Sequence, residues 1–456
     1  MENAKINGTL SWAGILRIGL IQLALGSIVV LTTSTLNRVM VVELALPAML
    51  PGALVGLHYA IQVLRPRWGY GSDVGGRRTP WIIGGMLVLA AGGVLAAYAT
   101  ALMASSPISG ITLSVIAFII IGCGVGASGT SLLVFMAVSV NKQRRAAAAS
   151  IVWLMMIAGI AITAGIAGKM LDPFSFERLV LVTSTVCTLA VILTIASIWG
   201  LEQTSVTIPE KRGEIINDGG FFAAIRTVWS EPKARKFSVF VFASMLAYSA
   251  QDLVLEPFAG AVFKMTPGES TQLSGVQHGG VFTGMVLVAL LGSGVARGRF
   301  GSMRAWTVGG CLASAAAHCS LVVAGSIGPP FPLVPAVFLL GVANGTFAVA
   351  AIGAMMGLVK SGARKREGTR MGLWGAAQAL AFGLGGFIGT VILDVVRYFS
   401  GSPEMAFAAV FALEALLFVV SARLAFGVSE DLRNKALGSN PKPALGEPTV
   451  LMEKDA

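Results

Sequence analysis

Two stretches of the chain each set an amide, a charge and a glutamate on neighbouring faces of a helix. One reads Thr35-Leu-Asn37-Arg38-Val-Met-Val-Val-Glu43-Leu, the other Ala250-Gln251-Asp252-Leu-Val-Leu-Glu256-Pro257-Phe. In each, the Glu follows the charge by four or five residues, which returns it to nearly the same side of a helix. Arg38 and Asp252 have opposite signs, and the matched spacing predicts that they pair across the molecule and close one of its mouths. Charged groups in or near a bilayer are costly and are usually paired or functional. The plainer alternative, for Glu43 above all, is a side chain snorkelling its charge to the interface.

Histidine is scarce. His58, His278 and His318 are the three, each in or beside an apolar run. A neutral imidazole can ligate the metal of a tetrapyrrole or carry a proton, and it can equally be a packed, hydrogen-bonded core residue. His278 stands in Gln277-His278-Gly279-Gly280, where the glycines are predicted to let a large flat ring approach the backbone. A third pattern, Gly69-x3-Asp73-x2-Gly76-Arg77-Arg78, suits a tight turn between antiparallel helices. There Asp73 is placed to cap the next helix and to pair with Arg in one conformation and not in another. The related loop Gly292, Gly294, Arg297, Gly298, Arg299 lacks the Asp, so any such charge latch is asymmetric.

The elements that must position these residues are transmembrane helices. Of 456 residues, 55% are hydrophobic and 12% charged, about half the charge of a soluble domain. Apolar runs long enough to cross a hydrocarbon core are predicted at 14–36, 46–64, 81–103, 110–138, 147–168, 178–200, 237–259, 275–296, 304–325, 332–358, 371–393 and 404–426. Most of the 56 glycines fall inside these runs, as close helix packing requires. The net charge of +11 does not point to nucleic acid, because the basic residues alternate between loops. Arg65, Arg67, Arg77, Arg78, Lys142, Arg144, Arg145, Arg297, Arg299, Lys365 and Arg366 gather on one side; Arg38, Lys169, Arg178, Lys264 and Arg397 are spread thinly on the other. That bias predicts both termini on the cytoplasmic side.

The polar stretch 201–236 separates six spans from six. The predicted organisation is a six-helix bundle over 1–200, a cytoplasmic linker over 201–236, a second six-helix bundle over 237–427 and a disordered tail over 428–456. The spacing Arg145 to Trp153 recurs as Arg366 to Trp374, which supports parallel pseudo-repeat bundles around a central space. Cys123, Cys187, Cys311 and Cys319 lie in apolar stretches without metal-ligand spacing. The sequence shows no P-loop, no catalytic triad and no Asp-rich diphosphate-binding cluster beside a span, so the expectation is that the chain is not an enzyme.

Taken together, the Thr35–Leu44 stretch, the Ser72-Asp73 loop with Arg77-Arg78-x-Pro80, and Gln251-Asp252-Leu-Val-Leu-Glu256-Pro257-Phe resemble the PucC/LhaA family. This is the bacteriochlorophyll-delivery branch of the major facilitator superfamily, and the resemblance covers about 12–427. It implies an all-α integral membrane fold of twelve helices in two six-helix bundles. It further implies bacteriochlorophyll as bound cargo, and light-harvesting and reaction-centre polypeptides, with chlorophyll synthase, as partners. The implied location is the intracytoplasmic photosynthetic membrane of a phototrophic bacterium. On that resemblance Asn37, Arg38, Glu43, Gln251, Asp252, Glu256, His58 and His278 are the central-cavity candidates, with His278 or His58 as axial ligand of the pigment magnesium. The other expectation is a proton-coupled transporter of a small amphipathic solute. That reading asks for a buried carboxylate in an early span, and the first six spans hold none at mid-depth.

Overall fold

The structure is a computed structural model that describes residues 10–64, 77–141, 143–204, 229–230, 232–292, 303–361 and 367–438. Within these, the long elements are twelve helices: α1 Trp12–Glu43, α2 Met49–Leu64, α3 Thr79–Met103, α4 Pro107–Ser139, α5 Arg145–Leu171, α6 Phe176–Ile198, α7 Pro232–Phe263, α8 Pro267–Gly292, α9 Met303–Ile327, α10 Leu333–Ser361, α11 Glu367–Ser400 and α12 Pro403–Gly438. Ten are long and apolar enough to cross a bilayer; Met49–Leu64 and Leu333–Val349 are shorter apolar stretches. Gly69, Asp73 and Gly76 of the predicted gating loop lie outside the described residues.

Helix pairings in the first half recur six helices later. The pairs α1–α5, α3–α4, α3–α6 and α2–α4 have counterparts in α7–α11, α9–α10, α9–α12 and α8–α10. Glycine makes the tightest of these possible. On α4, a Cβ at Gly124 would strike the backbone of Leu89; on α8, one at Gly280 would strike the Phe338 carbonyl of α10. Gly280 is therefore committed to a helix crossing and not to receiving a ring, which corrects half of the expectation for Gly279-Gly280. A Cβ at Gly279 meets nothing within 4 Å.

Several boundaries differ from those read off the apolar runs. α1 continues past 36 to Glu43 through two π-turns, Leu31–Thr35 and Val39–Glu43. Hydroxyls contribute: Thr32 and Thr33 donate back to the Val29 carbonyl, each at 2.9 Å, a bond that competes with the regular ladder. The wider turns carry Asn37 and Arg38 toward the second half while the helix stays unbroken. At the other end of the chain, α12 runs on to Gly438 instead of becoming a tail at 428. Its extension, Glu430-Asp-Leu-Arg-Asn-Lys-Ala-Leu, is rich in helix formers, and the first proline comes only at Pro441.

The halves meet along α2–α11, α5–α8 and α1–α7. Close approaches run from one end of the molecule to the middle of the spans: Gly52 against Thr390, Gly168 against Gly268, Gly275 against Gly165 and Gly56 against the Gly383 carbonyl. This end is opposite the one holding Arg77, Arg78, Arg144 and Arg145.

Candidate functional site

The crowded end is fastened by polar contacts, most of which join one half to the other. Pro257 lies inside α7 and has no N–H, so it leaves the Leu253 carbonyl one turn earlier without its helical donor. Asn37 Nδ2 donates to that carbonyl at 2.6 Å. Thr35 and Thr271 hydroxyls meet at 3.1 Å, and Thr271 donates to Glu256 Oε2 at 3.3 Å. Ser34 and the Arg38 guanidinium act on the same Glu256 carboxyl. The first turn of α2 is held by Asp394 of α11, whose oxygens accept from the Ala48 and Met49 N–H groups at 3.0 and 2.7 Å. Thr266, just before α8, donates to Asp172 Oδ2 at 3.0 Å.

Arg38 is buried, with 2% of its side chain exposed. Its Nη1 donates to Glu43 Oε1 at 2.5 Å and its Nη2 to the Met265 carbonyl at 2.7 Å. The predicted Arg38–Asp252 pair is thus replaced by an Arg38–Glu43 pair within α1. The π-turn after Arg38 explains this, because it brings Glu43 back over the guanidinium while Asp252 lies deeper along α7. Glu43 keeps a third of its side chain exposed, so it pairs with Arg38 while staying partly open to the outside.

Asp252 is half-buried and faces Gln277 of α8, with Tyr248 and Glu414 within electrostatic reach. Gln251 points the other way, into the second half. Its Oε1 accepts from Asn344 Nδ2 at 2.8 Å, and Asn344 Oδ1 accepts from the Ser314 hydroxyl at 2.7 Å. His318 Nδ1 donates to the Ser314 carbonyl at 2.7 Å, and His318 Nε2 lies 3.2 Å from Glu414 Oε2. Every member of this chain from Gln251 to Glu414 is buried.

The histidines separate by what holds their rings. His58 Nε2 is 2.9 Å from Gln62 Nε2; the amide can only donate, so the His58 Nε2 lone pair is taken. His278 Nδ1 is 2.9 Å from the Ser274 carbonyl, which fixes the proton on Nδ1 and leaves Nε2 as the lone-pair nitrogen. Open space lies beside the same turn at Gly279. At the Arg-rich end, Glu202 accepts from the Arg78 and Thr79 N–H groups at 2.6 and 3.0 Å and so caps α3, the place that sequence spacing offered to Asp73.

Sequence reasoning missed Asp172, Thr271, Asn344, Asp394 and Glu414. Only Glu414 carried a readable signal, a lone acid in the apolar run Phe411-Ala-Leu-Glu414-Ala-Leu. The others are ordinary polar residues whose partners sit on or beside other helices, up to 346 positions away.

Comparison with known proteins agrees with this architecture. Residues 35–432 match the family described as PUCC protein. The chain is 53% identical over 421 residues to the "Bacteriochlorophyll synthase 44.5 kDa chain" of Rhodobacter capsulatus, covering 92% of this chain and 96% of that protein. It is 26% identical over 433 residues to "Protein PucC" of the same organism, covering 91% of each. Among solved structures, a bacterial homologue of the human lysosomal transporter Spinster, inward-facing and unoccupied, superposes with a TM-score of 0.66 at 16% identity, over 94% of this chain and 99% of that one. A D-xylose-proton symporter superposes with a TM-score of 0.64 at 16% identity, over 89% and 97%. The expectation that the chain is not an enzyme is overturned by the first of these relatives, which is named as a chain of a synthase. That expectation rested on a missing diphosphate-binding pattern, and a chain of a multi-chain enzyme need not carry that pattern itself. With twelve helices in two pseudo-repeat bundles and a family match over nearly its whole length, this multi-pass membrane chain belongs to the PUCC family, on the fold of major facilitator transporters.

Proposed function

We propose that this chain takes part in assembling photosynthetic complexes, by binding bacteriochlorophyll between its two halves and delivering it to light-harvesting and reaction-centre polypeptides. The observation that carries the proposal is His278. Its ring is oriented by the Ser274 carbonyl at 2.9 Å with Nε2 left as lone-pair nitrogen, and the Gly279 position beside it is open. An imidazole held that way suits the axial position of a pigment magnesium, which needs a neutral, pre-oriented nitrogen ligand. A chain with only 12% charged and 55% hydrophobic residues suits a hydrophobic macrocycle with a long tail better than a polar metabolite.

The 53% identical relative, named for bacteriochlorophyll synthase, supports placing the chain beside the enzyme that completes the pigment. In this reading the protein works in the intracytoplasmic membrane of a phototrophic bacterium with both termini in the cytoplasm. The sealed end then faces the opposite side, and the six-plus-six division follows the 201–236 linker.

The test is purification in mild detergent from a pigment-making host. Near-infrared absorbance co-eluting with the protein, with a band displaced in His278→Ala and unchanged in His58→Ala, is the expected result. A colourless protein from a host with abundant free pigment overturns the proposal.

A further inference from the structure

The second half contains a cluster of ionisable groups that pigment binding does not use. His318 on α9 and Glu414 on α12 are both fully buried, 3.2 Å apart through Nε2 and Oε2. Asp252 on α7 lies within electrostatic reach of Glu414 and is half-buried, with Gln277 and Tyr248 beside it. Phe411 and Phe418 rings lie beside His318, with centroids 6.4 and 5.3 Å away, so its surroundings on that side are apolar. We propose that Asp252, Glu414 and His318 form one proton-holding site inside the second half, with Asp252 as its door to the space between the halves.

Charge balance supports the assignment. His318 Nδ1 donates to the Ser314 carbonyl at 2.7 Å, so any additional proton of the ring sits on Nε2, facing Glu414. Two carboxyls and one imidazole are jointly neutral only when they hold two protons among them. An uncompensated ion in so dry a place is expensive. Other titratable groups do not supply the balance among the described residues. On α7, Glu256 is engaged with Thr271 and Arg38, and Tyr248 only adds a neutral phenol. On α9, Cys311 is buried among phenylalanines. α10 contributes the amide of Asn344. On α11, Asp394 is spent on α2, while Arg397 is exposed, as is Arg423 on α12.

When the proton leaves, the O–H bond of the Asp252 carboxyl breaks toward water. The Glu414–His318 pair then passes its proton to Asp252, and the cluster changes from neutral to singly negative. The negative charge then rests on Glu414, and that state is tolerated when water or a cation in the space between the halves reaches Asp252 and screens it. Occupancy of that space and the proton count of the cluster are thereby coupled.

The test uses purified, pigment-free protein in lipid vesicles, so it does not depend on the pigment proposal. Infrared difference spectra are recorded between mildly acidic and mildly alkaline buffer, in water and in deuterated water. The expected result is a protonated-carboxyl band that shifts on deuteration, is lost in Glu414→Gln and is displaced in Asp252→Asn. No such band in the wild type overturns the proposal. So does a band that Asp252→Asn leaves in place, which applies even if Glu414→Gln does not fold.

Discussion

Asn37 in the first half donates its side-chain amide to the Leu253 carbonyl of the second half at 2.6 Å, and that carbonyl is free because Pro257 supplies no N–H one turn on. A proline and an asparagine 220 positions apart in the sequence thus form a single device. Asn37→Ala is expected to cost about 1–3 kcal/mol, the penalty of a buried acceptor left unmade. In a Pro257→Ala background the helix can satisfy the carbonyl itself, so the penalty of Asn37→Ala is expected to shrink. Thermal unfolding of the four proteins in detergent measures this coupling, and equal penalties in both backgrounds contradict it.

Gly260 is the wall behind Arg38. A Cβ there would sit 2.8 Å from Nη2 and 3.1 Å from the guanidinium carbon. Gly260→Val is expected to push the guanidinium off Glu43 and the Met265 carbonyl at a cost of roughly 1–3 kcal/mol. Arg38→Lys should fare little better, since a point charge cannot serve both acceptors in a fork. Retained stability in either variant would show that the pair contributes little.

Asp394 holds the start of α2 with both oxygens. Asp394→Ala is expected to cost about 0.5–2 kcal/mol, as for loss of a helix cap. It should also speed modification of a cysteine placed at Gly56, which faces the Gly383 carbonyl of α11 at 3.4 Å. An unaltered modification rate would mean that the α2–α11 contact does not depend on the cap.

The Gly279 position offers a test that separates pigment from fold. Its Cβ would meet nothing within 4 Å, so Gly279→Phe should leave the melting temperature nearly unchanged while filling the space beside His278. Absorbance that survives the substitution places the pigment elsewhere.

Glu202 gives a pH dependence. Burial works to raise its carboxyl, but the N–H groups of Arg78 and Thr79, the Thr79 hydroxyl and the Arg78 charge together hold it below the usual range. A carboxyl lowered by folding adds stability above its unfolded value, and loses it as pH falls through the lowered one. Glu202→Gln is therefore expected to lower the melting temperature at neutral pH and to converge with wild type in acid. A gap that is constant with pH would assign the effect to packing.

The helices are legible in the sequence because apolar length is a local property and twelve runs declare it one by one. The charge alternation and the Arg–Trp spacing likewise depend on neighbours along the chain. Partnership is not local. Arg38 reads as a mate for Asp252 by sign and position, yet the π-turns of α1, which no periodicity announces, return Glu43 to it instead. His278 is visible as a rare residue, but only the Ser274 carbonyl reveals which nitrogen is free. Glu414 stood in plain view in the last span, and its meaning depended on His318, three helices earlier in the chain but on the helix packed against it.

The glycine row that closes one end has a bearing on how the two halves separate. At Gly168, Gly268 and Gly275 on the α5–α8 seam, and at Gly52 on the α2–α11 seam, the helices touch at distances that admit no side chain. Opening that end means parting both seams, and one added methyl group on either should hold its two helices apart at the crossing.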